Sequence, residues 1–507
     1  MKIFSAEQIR KCDTYTIENE PVSSLSLMER AALCCADWLA THYAKAEYFY
    51  IFCGNGNNGG DGLAIARLLY QKGFNVDVFV DKKNENFTSD AKSNFEFLKG
   101  ISGIDVHDFD DLQPLSLDND YVIIDALFGT GLNRKVEGKC AHLIHRLNKL
   151  CIPKISIDIP SGLFADRLHE PDSAVFIADH TLSFQFWKKS FLHPETGFFC
   201  GKIHVLDIGV SAEFISTELS DQFVIDLSLI TAIYRPRNEF SHKGNYGKTM
   251  LITGSFGKMG AAVLSTHAAL KAGSGITYTL APKCGYVILQ TTCPEAMYRY
   301  GGEDFINRIE VVEESVVGAG PGLAEDPETA DALLSFLHDY KKPLVLDADA
   351  LNIISKSPEL LNLIPENSVI TPHPRELERL FGKSHNSFIR LELAKEKAKE
   401  YGIFIVLKDH HTQIITPTQK VYYNVTGNSG MAKGGSGDAL LGIITALLAQ
   451  GYSSEKAAVF GVWLHGSAGD RAAEKHSKES MLASDLVMEL GNVFSSLAKG
   501  CEFCFGE

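Results

Sequence analysis

Apolar and polar positions follow two rhythms along this chain, and the rhythm changes at glycine-rich junctions. The run Tyr48–Cys53, YFYIFC, has the length and aromatic content of a buried strand. Gly54–Gly62 follows, and then the helical run Leu63 to Gln71, so the unit reads strand, glycine loop, helix. Upstream, Ser5-Ala6-Glu7-Gln8 has capping-box spacing and predicts a helix to about Asn19, with a second from about Ser24 to Tyr43. Strands predicted at Asn75–Val80, Tyr121–Asp125, Lys154–Asp158 and Ile203–Asp207 alternate with helical stretches, the rhythm of a parallel, doubly wound sheet.

Residues 211–245 carry no clear sheet–helix rhythm, which places a boundary between about 215 and 230 and divides the chain into domains 1–220 and 226–507. The strand–glycine–helix unit then returns, with a strand at Lys248 to Thr253, glycines at 254, 257 and 260, and a small-residue helix Ala262 to Ala272. VVGAGPG at 316–322 is a third glycine turn. Val345 to Ala350 reads as a strand ending in two aspartates; Ser368–Ile370, Ile403–Leu407, Gln413–Ile415 and Val421–Tyr423 read as further strands. Glycines 427, 430, 434, 435 and 437 precede the apolar helix Ala439 to Leu448, and helices near Glu455–Glu474 and Ser484–Ser496 close the chain as packing elements. The fold class is α/β throughout, in two domains.

Composition narrows the function. A net charge of −15 over 507 residues excludes sequence-independent nucleic-acid binding, which needs a basic face. Eleven cysteines, scattered apart from Cys34–Cys35, form neither a disulfide framework nor paired zinc ligands and fit reduced thiols. The first 20 residues hold no apolar h-region and no run of 18 apolar residues occurs, so the expectation is a cytoplasmic protein outside the membrane.

A glycine loop feeding a helix N-terminus offers unpaired amides and a positive dipole end to phosphate. Asp438 in that first turn repels a phosphate, so it serves either as a general base toward a hydroxyl or as an acid that complements the helix dipole. In the first half, Asn58, Asp125 and Ser161 converge on one rim of the sheet as hard oxygen donors for a cation; singly, strand-end aspartates also cap helices, and Ser161 also satisfies turn amides. His373, between two prolines after a strand, has a stiffly aimed ring; Glu376 suits either a magnesium–water shell or a first-turn helix acid. His465 reads as a core residue.

Together, GNGNNGGDGLAIARLL, DALFGTGL and DIPSGL resemble the NAD(P)H-hydrate epimerase domain, over roughly residues 1 to 215, and imply a Rossmann-like sheet. The resemblance implies potassium at Asn58, Asp125 and Ser161. It implies contact of a hydrated nicotinamide nucleotide, NADHX or NADPHX, with Asn57, Asn58, Gly59, Gly60 and Asp61, with Gly129, Thr130, Gly131, Leu132, Asn133, Arg134 and Lys135, and with Asp158. Inverting the hydroxyl-bearing carbon beside the ring nitrogen calls for acid–base help, for which Asp158 is the candidate.

TGSFGKMGAA, GAGPGL, LDADALN, TPHPRELERL, VLKDHHT and GNSGMAKGGSGD, in that order, resemble the ribokinase-like ADP-dependent NAD(P)H-hydrate dehydratase over about residues 226 to 507. This implies that Lys408, Asp409, His410, His411, Thr412 and Gly437 hold ADP, and that Gly260, Gly322, His373 and Asp438 contact the hydrate. ADP would be a co-substrate yielding AMP and phosphate, magnesium a second cation, and a homo-oligomer the expected assembly. Arg375 and Asp409 depart from the family, where glycine is common at both places, and bear on local loop geometry and affinity. The competing reading is a ribokinase-superfamily small-molecule kinase carrying a non-catalytic N-terminal binding module.

Overall fold

The computed structural model describes residues 1–83, 86–111 and 121–504. They form two compact units, Lys2–Ser220 and Asp221–Glu507, with Met1 counted in the second. Among the described residues no helix is long and apolar enough to cross a membrane.

The first unit holds a seven-stranded, all-parallel sheet. Its strands are β1 (Tyr48–Cys53), β2 (Asn75–Val80), β3 (Asp105–Asp108), β4 (Tyr121–Ala126), β5 (Lys154–Ile157), β6 (His180–Phe184) and β7 (Lys202–Leu206). They lie in the order β3-β2-β1-β4-β5-β6-β7, so the chain leaves β1 in one direction and returns to β4 on its other side. That reversal opens a crevice at the carboxyl ends of β1 and β4, as doubly wound sheets require. Alternation along β1 feeds two cores: Phe49 and Ile51 pack with Leu63, Val76 and Val78, and Phe52 packs with Phe79, Ile123 and Ile144. The capping box expected at Ser5 and Gln8 forms and starts the helix Ala6–Asn19.

One boundary differs from the reading of the apolar rhythm. The helix after β1 runs Asn57–Gln71, so the NNGGDG segment is helix rather than loop. Its glycines hide it from periodicity, yet they are what allow it: a Cβ on Gly59 would lie 1.7 Å from the Gly54 carbonyl oxygen.

The second unit is a ten-stranded sheet of β8 (Gln222–Val224), β9 (Lys248–Ile252), β10 (Ile276–Ala281), β11 (Met297–Tyr300), β12 (Ser315–Ala319), β13 (Val345–Leu346), β14 (Val369–Ile370), β15 (Phe404–Leu407), β16 (Gln413–Ile415) and β17 (Val421–Tyr423). The order is β11-β10-β9-β12-β13-β14-β15-β16-β17-β8, parallel except for the antiparallel pairs β15–β16 and β16–β17. The stretch 211–245, rhythmless in sequence, contains β8 and the helices Ala212–Thr217 and Leu227–Ile233, each too short for periodicity to register. The strand expected over 345–350 stops at Leu346, because Asp347 is the N-cap of the helix Ala348–Ser355, whose Ala350, Leu351, Ile353 and Ile354 are buried at helical spacing.

The helix Ser436–Ala449 is buried from Ala439 through Leu447. It lies directly on the helix Met259–Lys271: a Cβ at Gly442 would sit 2.2 Å from the Ser265 carbonyl oxygen. Gly442→Ala therefore forces these two backbones apart and should cost the second unit about 1–3 kcal/mol, the usual range for overpacking. A lowered denaturant midpoint for that unit is the expected result; an unchanged midpoint contradicts the contact.

Candidate active sites

At the crevice of the first sheet, the Gly54 amide donates to Ala126 O at 3.0 Å and ties the loop after β1 to the end of β4. Asn58, on the first turn of the following helix, is 7% exposed, and neither atom of its side-chain amide has a partner. Leaving a buried amide unpaired costs about 1–3 kcal/mol, which marks a place where a ligand belongs. A Cβ on Gly129 would lie 3.2 Å from that of Asn58, so the DALFGTG turn closes over it.

Asp125, fully buried at the end of β4, is a crowded acceptor. Its Oδ1 takes Ser161 Oγ at 2.6 Å and Leu127 N at 3.2 Å, and its Oδ2 takes Ser161 N at 2.9 Å and Ser156 Oγ at 3.0 Å. Burial pushes its carboxyl up to about 6, while those four bonds pull the other way. Phe128 N donates to Ser161 Oγ at 2.9 Å. Asn58, Gly129, Phe128, Ser161 and Asp125 are thus linked in one continuous set, and the three oxygen donors expected on one rim are brought together.

Asp158 has a left-handed backbone, φ 65°, unusual for a residue other than glycine. Its Oδ1 accepts from Lys188 Nζ at 2.5 Å and from Phe184 N at 3.3 Å. Lys188 is fully buried and also donates to Ser183 Oγ at 2.6 Å. Sequence reasoning missed Lys188, which sits in FQFWKKSF beside an ordinary lysine. It also missed Asp13, on the helix Ala6–Asn19: burial, with the Asp158 charge adding, pushes its carboxyl up to about 7. Asp61 is 8% exposed, and burial followed by the charges of Asp158 and Asp13 raises it well above the usual carboxylate range. Of the expected 129–135 arm, Gly129 meets Asn58. Thr130, Gly131, Leu132 and Arg134 lie in the turn that follows, and Asn133 O and Lys135 Nζ are bonded to Arg167 and Pro171 instead.

The second site gathers at the carboxyl ends of β9, β12, β13, β14 and β15. Asp438 stands in the first turn of the helix Ser436–Ala449 and accepts no hydrogen bond from any described residue. Burial raises its carboxyl to about 6; the Asp347 charge adds to this and Lys408 opposes it. Lys408 Nζ lies 2.7 Å from Asp347 Oδ1 and 3.9 Å from Glu376 Oε2. A Cβ at Gly437 would be 3.4 Å from both Lys408 Nζ and Asp347 Oδ2, so acid, lysine and glycine turn share one spot. Gly434 and Gly260 have nothing within 4 Å on their open sides, whereas Gly322 packs on Lys258 and Ala261, next to Gly260.

His373 caps the helix Pro374–Phe381: its Nδ1 accepts from Glu376 N at 3.2 Å, and Glu376 Oε2 accepts from His373 N at 2.8 Å. The geometry therefore gives Glu376 the capping role. Asp409, one of the two departures, is held by Arg390 Nη1 at 2.8 Å, and the other, Arg375, is exposed. His410 and His411 meet edge to face, burial lowers the His411 ring to about 4, and Thr412 O accepts from Asn424 N at 2.9 Å. Three residues had no functional reading in sequence. Asp347 was assigned to a strand; Asp470 takes Gly427 N at 2.9 Å and Asn428 Nδ2 at 2.9 Å; His465, read as core, donates from Nε2 to Ser436 O at 2.9 Å and fixes the loop that delivers Asp438. Burial lowers His465 to about 4, so the ring is neutral and holds that single proton on Nε2.

Residues 249–492 match the family model described as NAD(P)H-hydrate dehydratase, and residues 24–190 match that described as YjeF-related protein N-terminus. The bifunctional NAD(P)H-hydrate repair enzyme of Moorella thermoacetica is 33% identical over 99% of this chain and 98% of its own. That of Escherichia coli K12 is 33% identical over 97% and 93% respectively. Among solved structures, an ADP/ATP-dependent NAD(P)H-hydrate dehydratase from Bacillus subtilis, co-crystallised with ATP/Mg2+, is 30% identical, covers 53% of this chain and 96% of its own, and has a TM-score of 0.47.

The raised Asp438 carboxyl has a consequence for stability. Between its ordinary value near 3.8 and about 6, the folded protein keeps a proton that the unfolded chain has released, so stability falls as pH rises through that window. Asp438→Asn lacks this loss. The variant should melt higher than wild type above pH about 6, and the two curves should converge below about 4. A melting difference independent of pH would show that Asp438 is not the titrating group.

Proposed function

The chain belongs to the family of bifunctional NAD(P)H-hydrate repair enzymes, and from that premise we propose that its two sites carry the two reactions, epimerisation in the first unit and ADP-dependent dehydration in the second. The enzyme repairs hydrated NADH and NADPH, acting as an isomerase and as a lyase. The dehydratase family model over the second half and the bifunctional relatives over the whole chain favour this reading over a kinase carrying a binding module.

The observation that carries the dehydration mechanism is the donor-free Asp438 carboxyl in the first turn of a glycine-led helix, where the Lys408 charge reaches it. A ring hydroxyl leaves poorly as hydroxide from neutral water, so the hydrate is first phosphorylated. Asp438 takes the hydroxyl proton, and the freed oxygen attacks the terminal phosphoryl group of ADP, releasing AMP. Backbone amides at Gly434–Gly437 and the Lys408 ammonium stabilise charge on that group. The ring-nitrogen lone pair then expels phosphate, and the neighbouring carbon gives up a proton to restore the reduced ring. The stretch Lys408–Thr412 with Gly437 takes the nucleotide; Gly260, Gly322 and His373 take the hydrate.

Magnesium fits this site through Asp347, whose Oδ2 accepts no hydrogen bond and lies against Gly437, and it would add positive charge at the phosphoryl group. Potassium fits the first site, where the unpartnered Asn58 amide lies beside the Ser161–Asp125 pair, and it would orient the hydrate and favour the charged form of Asp125. A fused epimerase lets the chain consume both epimers where the dehydratase takes one.

Asp438→Ala should lower kcat for dehydration by about 10²–10⁴-fold while epimer interconversion continues. In the wild type the rate should fall as pH drops through about 6, as the base becomes protonated. Wild-type turnover by the variant would remove Asp438 as the base. In the first unit, Asn58→Ala should raise the potassium concentration needed for half-maximal epimerisation; an unaltered potassium response would separate Asn58 from the cation.

A further inference from the structure

Asp158 is the sequence's candidate for acid–base work in the first site, but the structure commits it elsewhere. Asp158 Oδ1 accepts from a buried ammonium at 2.5 Å and from a backbone amide at 3.3 Å. Asp125 is spent on four donors. Asp61 is different. It lies one helical turn beyond the unpartnered Asn58, is 8% exposed, and accepts no hydrogen bond from any described residue. Burial, and after it the charges of Asp158, Asp13 and Asp90, hold its carboxyl well above the usual range. Lys188, the ammonium of the cluster, is bonded to Asp158. Burial and the Asp158 charge raise the carboxyls of Asp13 and Asp61, the two without donors, so these are the ones that hold protons.

We propose that Asp61 is the catalytic acid–base residue of epimerisation, with Asp13 as its proton-sharing partner and the Asp158–Lys188 pair as fixed charge. This rests on reading the first site as the epimerase. The hydroxyl-bearing carbon adjoins the ring nitrogen, so its C–O bond breaks as in any carbinolamine. The Asp61 carboxyl gives its proton to the hydroxyl oxygen, and the C–O bond cleaves with its electron pair leaving on water. The nitrogen lone pair forms a C=N⁺ bond. A water adds to the opposite face, its lone pair making the new C–O bond while the C=N⁺ pair returns to nitrogen. The proton this water sheds goes to the Asp61–Asp13 pair, and the enzyme ends as it began. One water leaves, one enters, and nothing is oxidised.

The test uses the full chain and the R form of the hydrate in H₂¹⁸O, following formation of the S form and its label. Wild type should install one solvent oxygen for each inversion. Asp61→Asn should lose about 100-fold or more in kcat with little change in KM, and added formate should restore Asp61→Ala by about tenfold or more, a rescue that a purely structural residue does not give. Melting curves of the first unit's transition, measured on the same preparations, report its folding. Should the substitutions unfold the unit, Asp61→Glu, which keeps the acid, must retain label exchange. Near-wild-type kcat in Asp61→Asn, no formate rescue, an Asp61→Glu without exchange, or inversion without label overturns the proposal. A wild-type chain unable to invert the hydrate overturns the reading of the site itself.

Discussion

The structure depends on backbone approaches closer than any side chain would permit, a helix start over the end of β1 in the first unit and a helix laid on a helix in the second. In the first unit the approach is made at Gly59, over the Gly54 carbonyl; in the second, Gly442 lets the helix bearing Asp438 rest on the backbone at Ser265. Packing this close buries most of each helix, and in the second unit Asp438 stands in the first turn. An acid placed there feels two opposed effects: the helix dipole favours its charge, and desolvation disfavours it. For Asp438 desolvation wins, and the carboxyl rises to about 6.

The two units resolve the resulting excess of acid in the same way. Each clamps one aspartate with a lysine, Asp158 with Lys188 at 2.5 Å and Asp347 with Lys408 at 2.7 Å. Each leaves a neighbouring aspartate, Asp61 or Asp438, without a donor. The clamped acid is fixed charge. The free acid is the one able to exchange a proton. This pairing of a clamped with a donor-free acid recurs on two sheets of different strand order, and it follows from burial and hydrogen bonding alone.

Much of this was legible in sequence where chemistry is written locally. The run Tyr48–Cys53 could only be a buried strand, and glycine before Asp438 marked a helix start of unusual accessibility. Asn58, Asp125 and Ser161 stand in three separate motifs, yet each follows a strand of one parallel sheet, so their convergence could be reasoned. What escaped was non-local or short. Lys188 and Asp13 reach the cluster from segments with no motif. Asp347 was hidden because LDADA alternates like a strand, although the apolar residues after it fall at helical spacing. β8 spans three residues, Gln222–Val224, and is held by pairing with β17 rather than by any pattern of its own. His465 was read as packing because a single histidine on an apolar helix gives no sign that its ring reaches the carbonyl at the start of another helix, 29 residues away in sequence.

In the proposed dehydration the hydrate's own oxygen leaves as part of phosphate. The most direct measurement follows that atom: S-form hydrate labelled with ¹⁸O at the ring hydroxyl is turned over with unlabelled ADP in ordinary water, and the released phosphate is weighed by mass spectrometry. Phosphorylation before elimination predicts one ¹⁸O in every phosphate formed. Unlabelled phosphate, with the ¹⁸O recovered in water, would mean that ADP is cleaved without phosphorylating the hydrate, and the role assigned to Asp438 would fall with it.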